Sequence, residues 1–200
     1  MSKKNKLKKF YSISNKIRFN IIEMLFRAQS GHAGPSLSIV EILNYLFFQK
    51  KIYRNFTNRD NFILSKGHAV PALYSTLFNL NLISKKDLVS FREINSKLQG
   101  HPDRTKLKYI ELGTGALGQG LSVAIGMALS GKRRANPFRC YVILGDGELM
   151  EGSNWEAILL ASHLQLHNLI LVIDHNNLQS LTTVDETVGI EPIENKFHNF

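Results

Sequence analysis

Gly145-Asp146-Gly147-Glu148 is followed, thirty residues after Asp146, by Asn176 in the stretch Asp174-His175-Asn176-Asn177. One carboxylate and one amide oxygen are hard donors. Mg²⁺ prefers oxygen ligands and shares its shell with phosphate oxygens. The glycines on either side of Asp146 let backbone come close to a diphosphate. The chemistry these residues suggest is a magnesium–diphosphate site. The bland alternative is two unrelated turns, because Gly-Asp-Gly and Asn-Asn both form turns readily. The surrounding elements favour the site. Cys140 to Leu144 is an apolar run ending at Gly-Asp-Gly, Leu169 to Ile173 is another ending at Asp174, and a helical pattern lies between them. Strand, helix, strand in that order builds parallel pairing. Both strands then finish on the same edge of the sheet, where open α/β folds place ligands. Leu178 adds a backbone carbonyl if the chain turns back over the site.

Other constellations carry less. Glu151 and Glu156 fall in the first helical turns after the Gly-Asp-Gly loop. Acidic residues there complement the helix dipole, and two carboxylates beside a ligand can also share a proton. Both readings stand from spacing alone. His32, His68 and His101 each sit in a glycine-bearing turn. Histidine there can bind phosphate, hold a hydroxyl or shuttle a proton. A zinc site competes, but no matched second shell of His and Asp is visible. His163 and His167 are an i, i+4 pair on a helix that could chelate metal, but there is no Glu in an H-E-x-x-H arrangement and no third ligand nearby, and histidine suits a helix C-terminus electrostatically, which is the reading preferred. Gly113-Thr-Gly115-Ala-Leu-Gly118 fits the dinucleotide fingerprint, yet the acid expected about 20 residues on is missing and the preceding segment is charged. Phosphatases with an aspartyl nucleophile also use Gly-Asp-Gly, but there is no upstream Asp-x-Asp. There is no Gly-x-Ser-x-Gly elbow either.

The elements that must position these residues alternate between helix and strand. Residues 10–29 have helical spacing at Ile13, Ile17, Ile21, Met24, Leu25 and Ala28. Ser38 with Glu41 reads as a capping box opening a helix through Phe48. Arg59 to Leu64 reads as a strand, and Val70 to about Leu80 as a helix with Pro71 in its first turn. Ser84 and Asp87 form another cap pattern. A helix of small residues runs to about Ser130, with Gly131 as its stop. The expected fold is α/β: a doubly wound, mainly parallel sheet with helices on both faces. The turns around His32, His68, His101 and Gly115 are expected to converge on one pocket with Asp146.

Bulk properties set limits. The 200 residues suit one domain with a real core. Apolar content of 44% and a mean hydropathy of -0.11 are ordinary for a soluble protein. The single cysteine, Cys140, permits no intrachain disulfide and suits a reducing cytoplasm. No apolar run approaches the roughly 20 residues of a membrane span. Of the net charge of +9, five lysines lie within residues 1–9, which read as a disordered basic tail ahead of a domain at 10–200. The basic residues lack the aromatic interleaving of single-strand binders, so neither nucleic acid nor membrane is expected as a partner.

Six motifs in order resemble the N-terminal, diphosphate-binding half of a transketolase. They are Gly31-His-Ala-Gly-Pro35, Ser65-Lys-Gly-His-Ala69, Gly100-His-Pro-Asp103, Thr114-Gly-Ala-Leu-Gly-Gln-Gly120, Gly145-Asp-Gly-Glu-Leu-Met-Glu-Gly152 with Trp155-Glu-Ala157, and Asp174-His-Asn-Asn-Leu178. The resemblance runs from about residue 10 to the end. It implies thiamine diphosphate and Mg²⁺ as cofactors, and transfer of a two-carbon ketol unit from a ketose to an aldose. By position, Asp146, Asn176 and the carbonyl of Leu178 resemble the magnesium ligands. Gly147 and His68 resemble diphosphate contacts. Gly115 and Leu117 resemble residues facing the aminopyrimidine. His32 and His101 resemble the histidines that hold substrate hydroxyls and help proton transfer. Glu151 resembles the interface glutamate that meets a partner carboxylate, and Glu156 falls on a related interface acid. The family's activating glutamate lies in a pyrimidine-binding domain absent here. The resemblance therefore implies a split enzyme: a separate C-terminal partner chain, a heterotetramer, sugar phosphates as substrates, and a chain inactive alone. Family members run beyond Phe200, so a truncated end is also expected. The alternatives are part of another thiamine-dependent synthase or 2-oxoacid enzyme, or a truncated non-catalytic binding module.

Overall fold

The computed structural model describes residues 2–53 and 59–200. The chain divides into two compact units, Met1–Arg54 with Gly67–Gly115, and Asn55–Lys66 with Ala116–Phe200.

The first unit is helical. α1 (Lys3–Ala28) buries Ile17, Ile21 and Met24 at helical spacing. It packs on α4 (Val70–Asn79), nearly all of which is buried. Ser75 Oγ, on α4, donates to the carbonyl of Ile17 at 3.0 Å. α1 begins earlier than its apolar pattern suggests. The Ser2 hydroxyl caps it by accepting the Asn5 N–H, and lysine favours helix, so residues 3–9 form exposed helical turns rather than a disordered tail. Met1 lies outside the described residues.

α2 (Ala33–Ser38) and α3 (Val40–Asn44) follow, and the chain then passes into a π-helical turn at Tyr45–Lys50. Ser38 opens no helix. Its hydroxyl donates back to the Pro35 carbonyl, and Glu41 pairs with Arg18 on α1 at 2.7 Å. The cap pattern was overridden because Glu41 has a cation to meet across the packing. α5 (Lys85–Val89) does carry the expected capping box between Ser84 and Asp87.

The second unit holds the sheet. β1 (Asn61–Leu64), β2 (Cys140–Gly145) and β3 (Leu169–Asp174) run parallel in that spatial order. β2 is fully buried, as its unbroken apolar run requires of a central parallel strand. Gly145 stands opposite Asp174 in the register, so the two apolar runs finish level. α6 (Gly120–Lys132) packs on all three strands, and α7 (Gly152–His163) packs against α6. α6 runs on through Gly131, the expected stop, to Lys132. α7 ends at His163, so His167 lies beyond it and the two histidines do not share a helical face. Short helices α8 (Val184–Thr187) and α9 (Ile193–His198) close the chain. Among the described residues, no helix is long and apolar enough to cross a membrane.

Candidate functional site

In the second unit the end of β2 delivers Asp146 into a buried position with 2% exposure. The Asp146 N–H donates to the Asp174 carbonyl at 3.2 Å, extending the β2–β3 ladder by one bond. Its carboxylate is held from two sides. Oδ1 accepts the Gly147 N–H at 2.8 Å, and Oδ2 accepts the Asn177 N–H. Asp146 therefore touches the backbone immediately beyond Asn176. The Asn176 amide is itself fixed: Nδ2 donates to Asp174 Oδ2 at 2.9 Å, and Oδ1 accepts the Leu178 N–H at 2.9 Å. Leu178 bridges to Thr183, so the segment doubles back after the strand end. Asp146, Asn176 and Leu178 thus gather within a few residues of two matched strand ends, and all three offer oxygen. Among the described residues no cluster of three His, Cys, Asp or Glu exists that could hold a softer metal.

Glu148, Lys66 and Asp174 were not singled out by sequence reasoning. Glu148 is 2% exposed. Its Oε1 accepts the Ser65 hydroxyl and the Gly118 N–H at 3.1 Å, and its Oε2 accepts the Gly145 N–H at 3.3 Å. It ties the end of β1, the glycine-rich loop and the end of β2 to one carboxylate. Burial pushes its pKa up, although the donors from Ser65, Gly118 and Gly145 oppose that. The Asn154 amide donates to the Glu148 carbonyl at 2.6 Å and anchors the start of α7. Lys66 forms a buried ion pair with Asp174. Lys66 and Asp174 each stand at or beside the end of an apolar run, whereas Glu148 lies four residues beyond Leu144.

Glu151 is the exposed N-cap residue of α7 and makes no side-chain cap bond; Glu156 is exposed on the same helix. A carboxylate at the N-cap complements the helix dipole, which accounts for Glu151, whereas Glu156 lies beyond the first turn; neither is buried. Leu117 is half-buried beside Gly118. At Gly118 the backbone has φ +81°, and a Cβ would come within 2.6 Å of Glu151 Cβ, so only glycine lets the loop lie against the start of α7.

In the first unit, His32, His68 and His101 lie close to one another. The rings of His32 and His68 meet edge-on with centroids 5.5 Å apart. His101 is held below the usual imidazole range, first by burial and then by the positive Arg92 and by His32. Its ring lies on the loop at Gly115, where a Cβ would stand 3.1 Å from Cδ2. Tyr74, buried on α4, donates its hydroxyl to the His101 carbonyl at 3.3 Å. Three imidazoles, one of them disfavouring its charged form, make a cluster suited to holding hydroxyls and passing protons. The Gly113–Gly118 fingerprint has no strand before it, which removes the structural context a dinucleotide loop requires.

Comparison with known proteins agrees with this geometry. Residues 11–200 match the family described as transketolase, thiamine diphosphate binding domain. The chain is 38% identical over 191 residues to one of the subunits of apulose-4-phosphate transketolase from Phocaeicola vulgatus, covering 94% of this chain and 68% of that protein. It is 41% identical over 179 residues to human transketolase, covering 86% of this chain but 28% of that protein. A crystal structure of a transketolase variant from Pichia stipitis superimposes with a TM-score of 0.87 at 35% identity, over 95% of this chain and 30% of that one. Transketolase from Campylobacter jejuni superimposes with a TM-score of 0.85 at 33% identity, over 95% and 32%. The chain therefore spans under a third of these whole transketolases. A parallel sheet with helices around it, and a family match across residues 11–200, lead to one assignment: this chain belongs to the transketolase family, as its thiamine diphosphate-binding domain of α/β fold.

Proposed function

We propose that this chain is the N-terminal subunit of a thiamine diphosphate- and Mg²⁺-dependent transketolase. It transfers a two-carbon ketol unit from a ketose to an aldose, both sugar phosphates, and acts only with a C-terminal, pyrimidine-binding subunit in a heterotetramer. The observation that carries this reading is the Asp146 carboxylate bound to the backbone next to Asn176 at two level strand ends. The donor set fits the ion: a carboxylate, an amide oxygen and a carbonyl are the ligands Mg²⁺ takes alongside phosphate oxygens. The relative from P. vulgatus bears the name of one subunit of its enzyme, which supports a separate partner chain. The lone cysteine, buried in β2, suits a cytoplasmic enzyme.

The chain's own residues then divide the work. Asp146, Asn176 and the Leu178 carbonyl hold the cation. Gly147 and His68 contact the diphosphate, and Gly115 and Leu117 face the aminopyrimidine. When bound, thiamine diphosphate supplies a carbon nucleophile and an electron sink. His101, disposed to be neutral, accepts or donates a proton at a substrate hydroxyl, and His32 holds a neighbouring hydroxyl. Glu151 and Glu156 meet the partner chain; their exposure on α7 leaves them accessible to it.

Calorimetry tests the reading. Thiamine diphosphate titrated into the chain in Mg²⁺, with and without the pyrimidine-binding subunit, is expected to bind in at least one case. Asp146→Ala is expected to weaken that binding by roughly 10-fold or more, since one charged ligand of the ion is gone. Wild-type protein that binds nothing under either condition refutes the proposal.

A further inference from the structure

Lys66 is 1% exposed and Asp174 is 6% exposed. Lys66 lies just past β1 and Asp174 closes β3, so their ion pair reaches across the central strand. A Cβ on Gly145 would sit 3.9 Å from Lys66 Cδ, so the lysine stem runs along the end of β2. Fully buried lysine is rare, and apolar residues of similar volume often stabilise a core as well as a buried ion pair does. This pair has a second attachment. The same Asp174 Oδ2 accepts the Asn176 Nδ2 at 2.9 Å, and the Asp174 carbonyl accepts the Asp146 N–H at 3.2 Å. One residue thus holds both residues whose side chains are assigned to the cation.

Resting on the magnesium reading above, we propose that Lys66 and Asp174 are a positioning pair for that site. Asp174 grips the nitrogen end of the Asn176 amide and so fixes which way its oxygen faces; that oxygen accepts the Leu178 N–H at 2.9 Å and keeps its second lone pair for the ion. Lys66 occupies the charge of Asp174, so this carboxylate serves as an acceptor for Asn176 rather than competing with Asp146 for the ion. Neither residue touches the cation in this arrangement.

The test uses the full chain with Lys66→Met/Asp174→Leu, which replaces the pair by apolar side chains. The readouts are melting temperature, the side-chain amide NMR signals of Asn176 in ligand-free protein, and Mn²⁺ affinity with saturating thiamine diphosphate. The Asn176 signals are assigned by their loss in Asn176→Asp. The variant is expected to melt near the wild type, to lose protection of the Asn176 amide protons, and to bind Mn²⁺ about 10–100-fold more weakly, as outer-shell changes do. Lys66→Met/Asp174→Asn removes the same charges but keeps an acceptor for Asn176. It is expected to retain the protected amide and recover most of the affinity, which a purely structural role would not produce. Unchanged amide signals in the leucine variant overturn the positioning role whatever the metal does. Changed signals with wild-type Mn²⁺ affinity overturn its link to the ion. Absence of Mn²⁺ binding by the wild type overturns the magnesium reading itself, a failure distinct from the other two.

Discussion

Glu148→Ala should destabilise the second unit more than its distance from any ligand contact suggests. The carboxylate accepts three donors: the Ser65 hydroxyl, the Gly118 N–H and the Gly145 N–H. Ser65 is 0% exposed and Glu148 2%. Truncation strands two backbone donors and a hydroxyl in a dry setting, each costing about 1–3 kcal/mol when unsatisfied. Two effects offset this. The wild type already pays to desolvate the carboxylate, the same burial that pushes its pKa up, and water can enter the space left behind. The net loss expected is about 2–4 kcal/mol. At roughly 2–4 °C per kcal/mol for a chain of this size, melting should fall by about 5–15 °C. Glu148→Gln keeps one acceptor oxygen but turns an amide N–H toward a backbone donor, so it should lie between the two. Ser65→Ala removes one donor and leaves two, at a cost of about 1 kcal/mol. Thermal and urea melts of the four proteins decide the matter, with exposed Glu151→Ala as a control within about 0.5 kcal/mol of wild type. If Glu148→Ala melts with that control, the carboxylate does not hold the three segments together.

Gly115→Ala and Gly126→Ala should have opposite signs. The first drives a methyl against the His101 ring at 3.1 Å and should cost about 1–3 kcal/mol and shift the His101 NMR signals; the second meets nothing within 4 Å inside α6 and should gain about 0.5–1 kcal/mol, both read by urea melts. His101 should titrate by NMR below its ordinary value of 6.5, with burial as the main cause. Because its folded value is depressed, its contribution to stability is present above pH 6.5 and is lost as pH falls through the folded value; the wild type minus His101→Asn difference in melting temperature should therefore shrink on acidification. The purified chain alone should show no ketol transfer with thiamine diphosphate and Mg²⁺, and a coupled sugar-phosphate assay should gain activity when the pyrimidine-binding partner is added.

The strand ends of the second unit were legible because their apolar runs are bounded by Gly-Asp-Gly and by Asp174, with a helical pattern between them. Asp146 and Asn176 followed from that register. The local signals that failed were those a distant partner could outbid. Ser38 and Glu41 look like a cap, but Arg18, twenty-three residues away, claims the glutamate. The lysines at the start are a separate, local case: they look like a tail, but a serine cap and good helix formers extend α1 to Lys3. Glu148, Lys66 and Asp174 went unnoticed for a related reason. Spacing along a chain shows what shares a helix face or a strand end, whereas these three act through partners 83 and 108 residues apart, brought together only when β1 takes its place beside β2.

Among the described residues β3 has one bonded neighbour, β2, and its apolar side chains from Leu169 to Ile173 are only half covered. A sequence so uniformly oily is suited to the middle of a sheet, yet among the described residues it stands at the sheet's border. When this polypeptide is handled at high concentration, that border is where neighbouring molecules can zip onto one another. Self-association that rises with concentration, read by light scattering, is the expected outcome.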